Sequence, residues 1–113
     1  MKNERPWGNY TNIFTSQDFN IKTIEILPNK QPSYQYHHKR SEHWIILKGE
    51  AEITINDVTT IKKEGDHIFV PVGDKHRIKN ISNDVTLQFI EVQTGTYFGE
   101  DDIVRIQDDY GRA

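Results

Sequence analysis

Residues 65–80, GDHIFVPVGDKHRIKN, hold two short apolar-alternating runs, HIFVP and HRIKN, joined by a turn. Gly65 opens the segment and Gly73 sits in the turn; glycine enters positive φ there without a steric penalty. Pro71 ends the first run, since it cannot donate to a strand ladder. His76 opens the second run and offers an imidazole nitrogen, and Asn80 closes it. Strand, tight turn, histidine, strand is the local grammar of an all-β protein with a polar group placed where a strand begins.

Upstream, residues 29–49 read NKQPSYQYHHKRSEHWIILKG. On an extended strand Gln35 and His37 point to one face, whereas Tyr36 and His38 point to the other. Glu42 begins the next apolar run, so a turn over Lys39, Arg40 and Ser41 brings it back beside His37. A barrel can then place His76 next to this group. A histidine beside a strand is ordinarily a surface or hydrogen-bonded residue. Here His37, His38 and His43 fall close together with Glu42 among them; taken alone this is a polar loop with histidines, and its weight comes from the combined pattern with His76.

The rest of the chain keeps the same rhythm. NIKTIEIL (20–27), SYQYH (33–37), EHWIILK (42–48), AEITIN (51–56), VTTIKK (58–63) and VTLQFIEVQ (85–93) alternate, with Asn56-Asp57 as a hairpin signal. No segment sustains a helical period, and the acidic tail 99–109 offers at most one turn of helix. The expectation is an all-β sandwich or barrel.

With 113 residues the chain has the size of one domain, spanning 1–113. It has no cysteine, which excludes disulfides, thiolate nucleophiles and cysteine metal sites. Net charge is −3 with scattered basic residues, so no nucleic-acid surface is expected. The first residues carry charge and no apolar core, and no run is long enough to span a bilayer. The expected location is the cytoplasm, without membrane contact.

The two segments together resemble the cupin superfamily. Its second motif, G-x5-P-x-G-x2-H-x3-N, is matched at Gly65, Pro71, Gly73, His76 and Asn80. Its first, G-x5-H-x-H-x3,4-E-x6-G, falls on Asn29, Gln35, His37, Glu42 and Gly49, with Asn29 for glycine and Gln35 for the first histidine. Asparagine tolerates the left-handed region nearly as well as glycine, and a glutamine carbonyl can still bind a metal. The glutamine resembles the type II phosphomannose isomerases. So do Arg5-Pro6-Trp7-Gly8, QYHHKRSEHW (35–44), IEVQTGTYFGEDDIVR (90–105) and Asp109-Tyr110-Gly111-Arg112. In that family the domain is often the C-terminal part of a bifunctional mannose-1-phosphate guanylyltransferase and mannose-6-phosphate isomerase. Family members usually read QMHHHRAEHW, so Tyr36 and Lys39 stand where Met and a third histidine are usual.

This resemblance implies a double-stranded β-helix, a small jelly-roll barrel. It implies one divalent metal ion on Gln35, His37, Glu42 and His76, with zinc first and manganese, iron, cobalt or nickel as alternatives. It further implies interconversion of mannose 6-phosphate and fructose 6-phosphate. Another metal-dependent cupin reaction, or sugar binding without catalysis, are the competing readings. Guanylyltransferase activity is not expected, for want of a Gly-rich phosphate loop and of length for a βαβ unit.

Phe89, Glu91 and Gln93 share a strand face, so Glu91 is a candidate base, with Asp101 and Asp102 beside it and His43 and Lys39 ranked behind. Arg40 and Arg105 are the candidates for a substrate phosphate, since a guanidinium holds phosphate oxygens bidentately; Arg77 and Lys39 follow. His38 and His67 read as rim residues. Trp7 and Tyr10 can close a barrel end. The run through Ile13 and Phe14 has no evident home within one small barrel, and a homodimer is expected.

Overall fold

The computed structural model describes residues 2–111; Arg112, in the last family-like segment, lies outside the described residues. Strands β1 (Lys2–Arg5), β2 (Gly8–Thr15), β3 (Phe19–Ile26), β10 (Leu87–Gly95), β5 (Arg40–Lys48) and β8 (His67–Val70) lie side by side in that order in one sheet. The second sheet has the order β11 (Ile103–Gln107), β4 (Tyr34–His37), β9 (His76–Asn80), β6 (Glu50–Ile55) and β7 (Val58–Lys63). Every pairing is antiparallel. No described helix is long and apolar enough to cross a membrane.

The alternating runs explain the layering. In β3, β5, β9 and β10 every second residue is buried. Their inner positions supply Ile24, Ile26, Trp44, Ile46, Ile78, Leu87 and Phe89, which pack with Trp7, Ile53, Ile68 and Val70 between the sheets. Burying side chains of this size contributes roughly 1.5–3 kcal/mol each relative to exposure. One end of the interior is therefore aliphatic and aromatic. At the other end the inner positions are polar.

Turn chemistry sets where the polar end forms. Asn56 and Asp57 take φ values of 48° and 68°, the twin left-handed residues of a two-residue hairpin between β6 and β7. Asn29 has φ 61°, the conformation its place in the motif requires. Gly73 has φ 84°, and its amide donates to the His37 carbonyl at 2.9 Å. That bond ties the turn before His76 to the strand carrying Gln35 and His37.

Three expectations need correction. The turn between β4 and β5 is tighter than expected: Arg40 and Ser41 belong to β5, so only His38 and Lys39 turn. The N-terminal run, expected to have no home within one small barrel, forms β1 at the edge of the larger sheet and β2 between β1 and β3. The tail adds a whole strand, β11, after a single 3-10 turn at Glu100–Asp102. Edge strands elude pattern reading because only a few of their side chains reach the core.

Asn80 shows why that motif position is an amide. It is fully buried; its Nδ2 donates to the carbonyls of Ile26 and Val85 at 2.9 and 2.8 Å, and its Oδ1 accepts from the Ser82 amide. Asn80→Ala leaves buried backbone groups without partners, which costs about 1–3 kcal/mol for each such group. The urea midpoint should fall with an unchanged slope; an unshifted midpoint would contradict this account.

Candidate metal centre and cavity

Two cross-strand rows, one from each sheet, meet at the polar end. In the smaller sheet Arg105 pairs with Gln35, and Gln35 with His76. In the larger sheet Lys22 pairs with Glu91 and Glu91 with Trp44, while Asn20, Gln93 and Glu42 form the neighbouring row. Residues directly opposite in a sheet point to the same side. Both rows therefore aim inward, at each other.

His37, Glu42 and His76 are buried, and their ligating atoms all lie within 4.8 Å of one another. His37 Nε2 is 3.0 Å from Glu42 Oε2, and His76 Nε2 is 3.8 Å from Glu42 Oε1. His76 Nδ1 lies 2.9 Å from the Asp74 carbonyl. A carbonyl only accepts, so Nδ1 carries the proton and Nε2 presents its lone pair. That Nε2 is buried without a hydrogen-bond partner, as is Nδ1 of His37. Gln35, half-buried, accepts from Ser33 Oγ at 2.5 Å. Buried imidazole nitrogens left unsatisfied beside a carboxylate fit a divalent ion.

Arg40 adjoins Glu42 and His37 and lines the same cavity as Glu42. It is 3 % exposed; Nε donates to Glu42 Oε2 at 3.0 Å, Nη1 donates to the Phe98 carbonyl at 3.3 Å, and Nη2 lies 3.2 Å from His37 Nε2. Arg40 therefore fixes the ligands, and its donors are engaged within the protein. Lys39 faces the Tyr97 ring instead.

A cavity opens in front of the centre. Gln35, Glu42, His76 and Glu91 line it together with the basic residues Arg5, Lys22, Arg40, Arg77 and Arg105. Arg105 keeps a buried Nε without a hydrogen-bond partner. Glu91 faces inward and is buried, as its strand parity predicts. Trp44 Nε1 donates to Glu42 Oε1 at 3.0 Å and to Glu91 Oε1 at 3.1 Å, and Gln93 Nε2 donates to Glu91 Oε2 at 2.6 Å.

The two carboxyls behave oppositely. Burial opposes charge on Glu42, but the His37 hydrogen bond and the charges of His76 and Arg40 outweigh it and hold the group well below the usual carboxylate range. Glu91 is pushed up to about 8, first by burial and then by the negative charge of Glu42, with Lys22 and Arg40 partly offsetting this. His76 is lowered, chiefly by burial. Glu42 is thus anionic at neutral pH while Glu91 keeps its proton, a separation of roles typical of acid–base sites.

Asp101 and Asp102 do not line the cavity. Asp101 is exposed and accepts from Tyr97 Oη at 2.5 Å. Asp102 is buried and accepts the amides of His38 and Lys39 at 3.2 and 3.0 Å, closing the β4–β5 turn. His43 and His67 stack on the outer face of the large sheet. Lys22, 6 % exposed and in the row of Glu91, is the residue that sequence reading missed. Its parity with Ile24 and Ile26 was the available signal.

Fold and site together define a cupin domain with a candidate metal site. Among solved structures, the cupin domain of Schizosaccharomyces pombe Cnp3 superposes with a TM-score of 0.76 at 20% identity, over 82% of this chain and 68% of that one. Bacillus subtilis oxalate decarboxylase gives 0.79 at 18% identity, over 94% and 30%. Residues 1–108 match the family model described as mannose-6-phosphate isomerase C-terminal, and the chain belongs to that family. Its curated relatives include the xanthan biosynthesis protein XanB of Xanthomonas campestris, 46% identical over 96% of this chain. The alginate biosynthesis protein AlgA of Pseudomonas aeruginosa is 42% identical over 96% of the chain, and a mannose-1-phosphate guanylyltransferase of Salmonella montevideo is 44% identical over 96%. The chain spans 23%, 22% and 23% of the length of these relatives.

Elemental analysis of the purified protein should find about one divalent metal per chain. His37→Ala and His76→Ala should each lose most of it, and added metal should raise the melting temperature of the parent but not of the double variant. Metal retained by the double variant would overturn the site.

A pH dependence follows for chelated protein. Glu91 has a folded pKa raised from 4.5 to about 8, so the stability it contributes is full below 4.5 and lost as pH rises to about 8. His76 and Glu42, both lowered, act in the opposite sense: their contributions are present above the unfolded values of 6.5 and 4.5 and are lost on acidification. Between about pH 6.5 and 8 the slope therefore belongs to Glu91. The metal-free parent should lose stability across that window, and Glu91→Gln should flatten the loss; equal slopes would refute the assignment.

Proposed function

We propose that the domain is a metal-dependent sugar-phosphate isomerase interconverting mannose 6-phosphate and fructose 6-phosphate. The observation that carries this reading is the Glu42–Glu91 pair, bridged by Trp44 and set opposite Gln35 and His76 under a cationic cavity. Gln35, His37, Glu42 and His76 would hold the ion. Zinc is the proposed metal, and manganese, iron, cobalt and nickel suit the same nitrogen and oxygen donors. When bound, such an ion supplies Lewis-acid stabilisation of negative charge developing on the sugar oxygens.

Isomerisation breaks the C2–H bond of the open-chain aldose and forms a C1–H bond. Glu91 acts in its ionised form, which a bound divalent cation would favour: it takes the C2 proton as the C1 carbonyl becomes part of an enediol, then returns a proton to C1. The O2 hydroxyl gives up its proton as the ketone forms, and O1 gains one, so the reaction balances without a co-reactant. A carboxyl titrating near neutrality suits both halves of this transfer. Lys22 draws the Glu91 pKa back towards that range. Arg105, Arg77 and Arg5 stand around the opening, where guanidinium groups can bind a phosphate and fix the sugar's register. The reaction is assigned to the cytoplasm, in keeping with a chain without cysteine.

Metal-replete protein should exchange the C2 proton of mannose 6-phosphate with solvent D₂O. Glu91→Gln should lower kcat by roughly 10²–10⁴-fold with little change in KM. Arg105→Ala should mainly raise KM. Absence of C2 exchange, under conditions in which an isomerase of known activity shows it, would overturn the proposal.

A further inference from the structure

The inner positions of β3 and β10 turn from apolar to amide at one end. The alternation that buries Ile24, Ile26, Leu87 and Phe89 also buries Asn20 and Gln93. A buried amide is tolerated only when it is hydrogen-bonded. A pair of apolar residues of the same shape would fill these places at little loss of stability, so packing alone does not call for amides. Neither residue lines the cavity. Their hydrogen bonds reach it nonetheless. Thr15, Asn20, Gln93 and Glu42 lie opposite one another across β2, β3, β10 and β5. Thr15 Oγ1 donates to Asn20 Oδ1 at 2.6 Å, Asn20 Nδ2 donates to Gln93 Oε1 at 3.1 Å, and Gln93 Nε2 donates to Glu91 Oε2 at 2.6 Å. Asn20 Nδ2 also makes a longer contact, 3.4 Å, with Asn12 Oδ1.

We propose that Gln93, itself oriented by Asn20, is a positioning residue for Glu91 and fixes the direction in which that carboxylate meets the substrate. The role rests on the isomerase reading, in which Glu91 is the base. The sense of every bond in the row follows from the carboxylate outward. An ionised Glu91 only accepts, so Gln93 must turn Nε2 towards it and Oε1 away. That Oε1 needs a donor, and Asn20 supplies one only while its own Oδ1 faces Thr15. The Thr15 hydroxyl, free to rotate, donates to Oδ1 and ends the row at the exposed side of β2. Amides hold their protons at neutral pH, so the row orients Glu91 and does not conduct its proton. With Trp44 Nε1 on Oε1 and Gln93 Nε2 on Oε2, each oxygen of Glu91 has its own donor. The carboxylate cannot turn about its last bond without losing one of them. A base held in this way keeps its remaining lone pairs in one arrangement at the cavity wall, and small misplacements of a reacting group are costly in rate.

The test is steady-state isomerisation of mannose 6-phosphate by metal-replete protein, with C2 proton exchange measured alongside. Asn20→Asp replaces the amide nitrogen by an oxygen and so removes the donor to Gln93 Oε1; Gln93 is then drawn to turn Nε2 towards the new carboxylate and away from Glu91. Gln93→Met removes the donor to Glu91 at similar volume. Each should lower kcat at least about tenfold, as expected for losing one hydrogen bond to a charged group, while KM stays within about twofold. Metal content and circular dichroism should match the parent. Because Asn20 acts through Gln93, the double variant should fall no further than Gln93→Met alone, whereas independent roles would multiply to about 100-fold. NMR of the substrate-free protein reads the row without turnover: the Gln93 side-chain amide should move in both Asn20→Asp and Glu91→Gln. A kcat unchanged in the two single variants, a double variant showing the product of the two losses, or a Gln93 amide indifferent to Glu91→Gln would each overturn the positioning role and leave the isomerase reading standing. A parent without C2 exchange would overturn that reading and the positioning role with it.

Discussion

Placing the Glu42 carboxylate in the protein interior would cost several kcal/mol if it were left alone. Much of the polar end is arranged to meet that cost. Arg40 and His37 approach one oxygen, Trp44 donates to the other, and His76 stands close by. These partners come from β4, β5 and β9, so both sheets must be in place before the charge is compensated. Specificity of fold and readiness for a metal are here the same requirement.

The charge on Glu42 then dictates its surroundings. Glu91, held within reach of the same indole, cannot ionise as easily and keeps its proton to about pH 8. Lys22 lies opposite Glu91 in register, and Asn20 and Gln93 extend the hydrogen-bonded row at 3.1 Å. Aromatic and aliphatic side chains fill the remaining interior and keep the carboxyl pair away from bulk water. One buried anion thus sets the protonation of its neighbour, and basic side chains around the cavity offset the total.

The candidate ligands were legible through the resemblance to the cupin motifs, which assigns them by position. Gln35 and His37 share a parity, Glu42 and His76 sit at fixed distances from turns, and the turns announce themselves through Gly73 and Asn29. Glu91 was legible from the alternation of β10. Arg40 was placed near the site, but its engagement with Glu42 depends on a rotamer that no spacing encodes. Asp101 and Asp102 read alike in sequence, yet one faces solvent and the other the β4–β5 turn, since a 3-10 turn separates their directions. Lys22 was hidden because both faces of β3 carry apolar residues, Phe19 and Ile21 outside and Ile24 and Ile26 inside, so parity alone does not say which side is core.

Asp102 holds the amides of His38 and Lys39 across more than sixty residues of chain, and Phe98 receives Arg40 nearby. The turn that follows His37 is therefore latched by a segment far along the chain. Without residues 98–102 the β4–β5 turn has no such clasp. A chain cut before residue 98 would keep strands β4 and β5 but lose the clasp on the turn between His37 and Arg40.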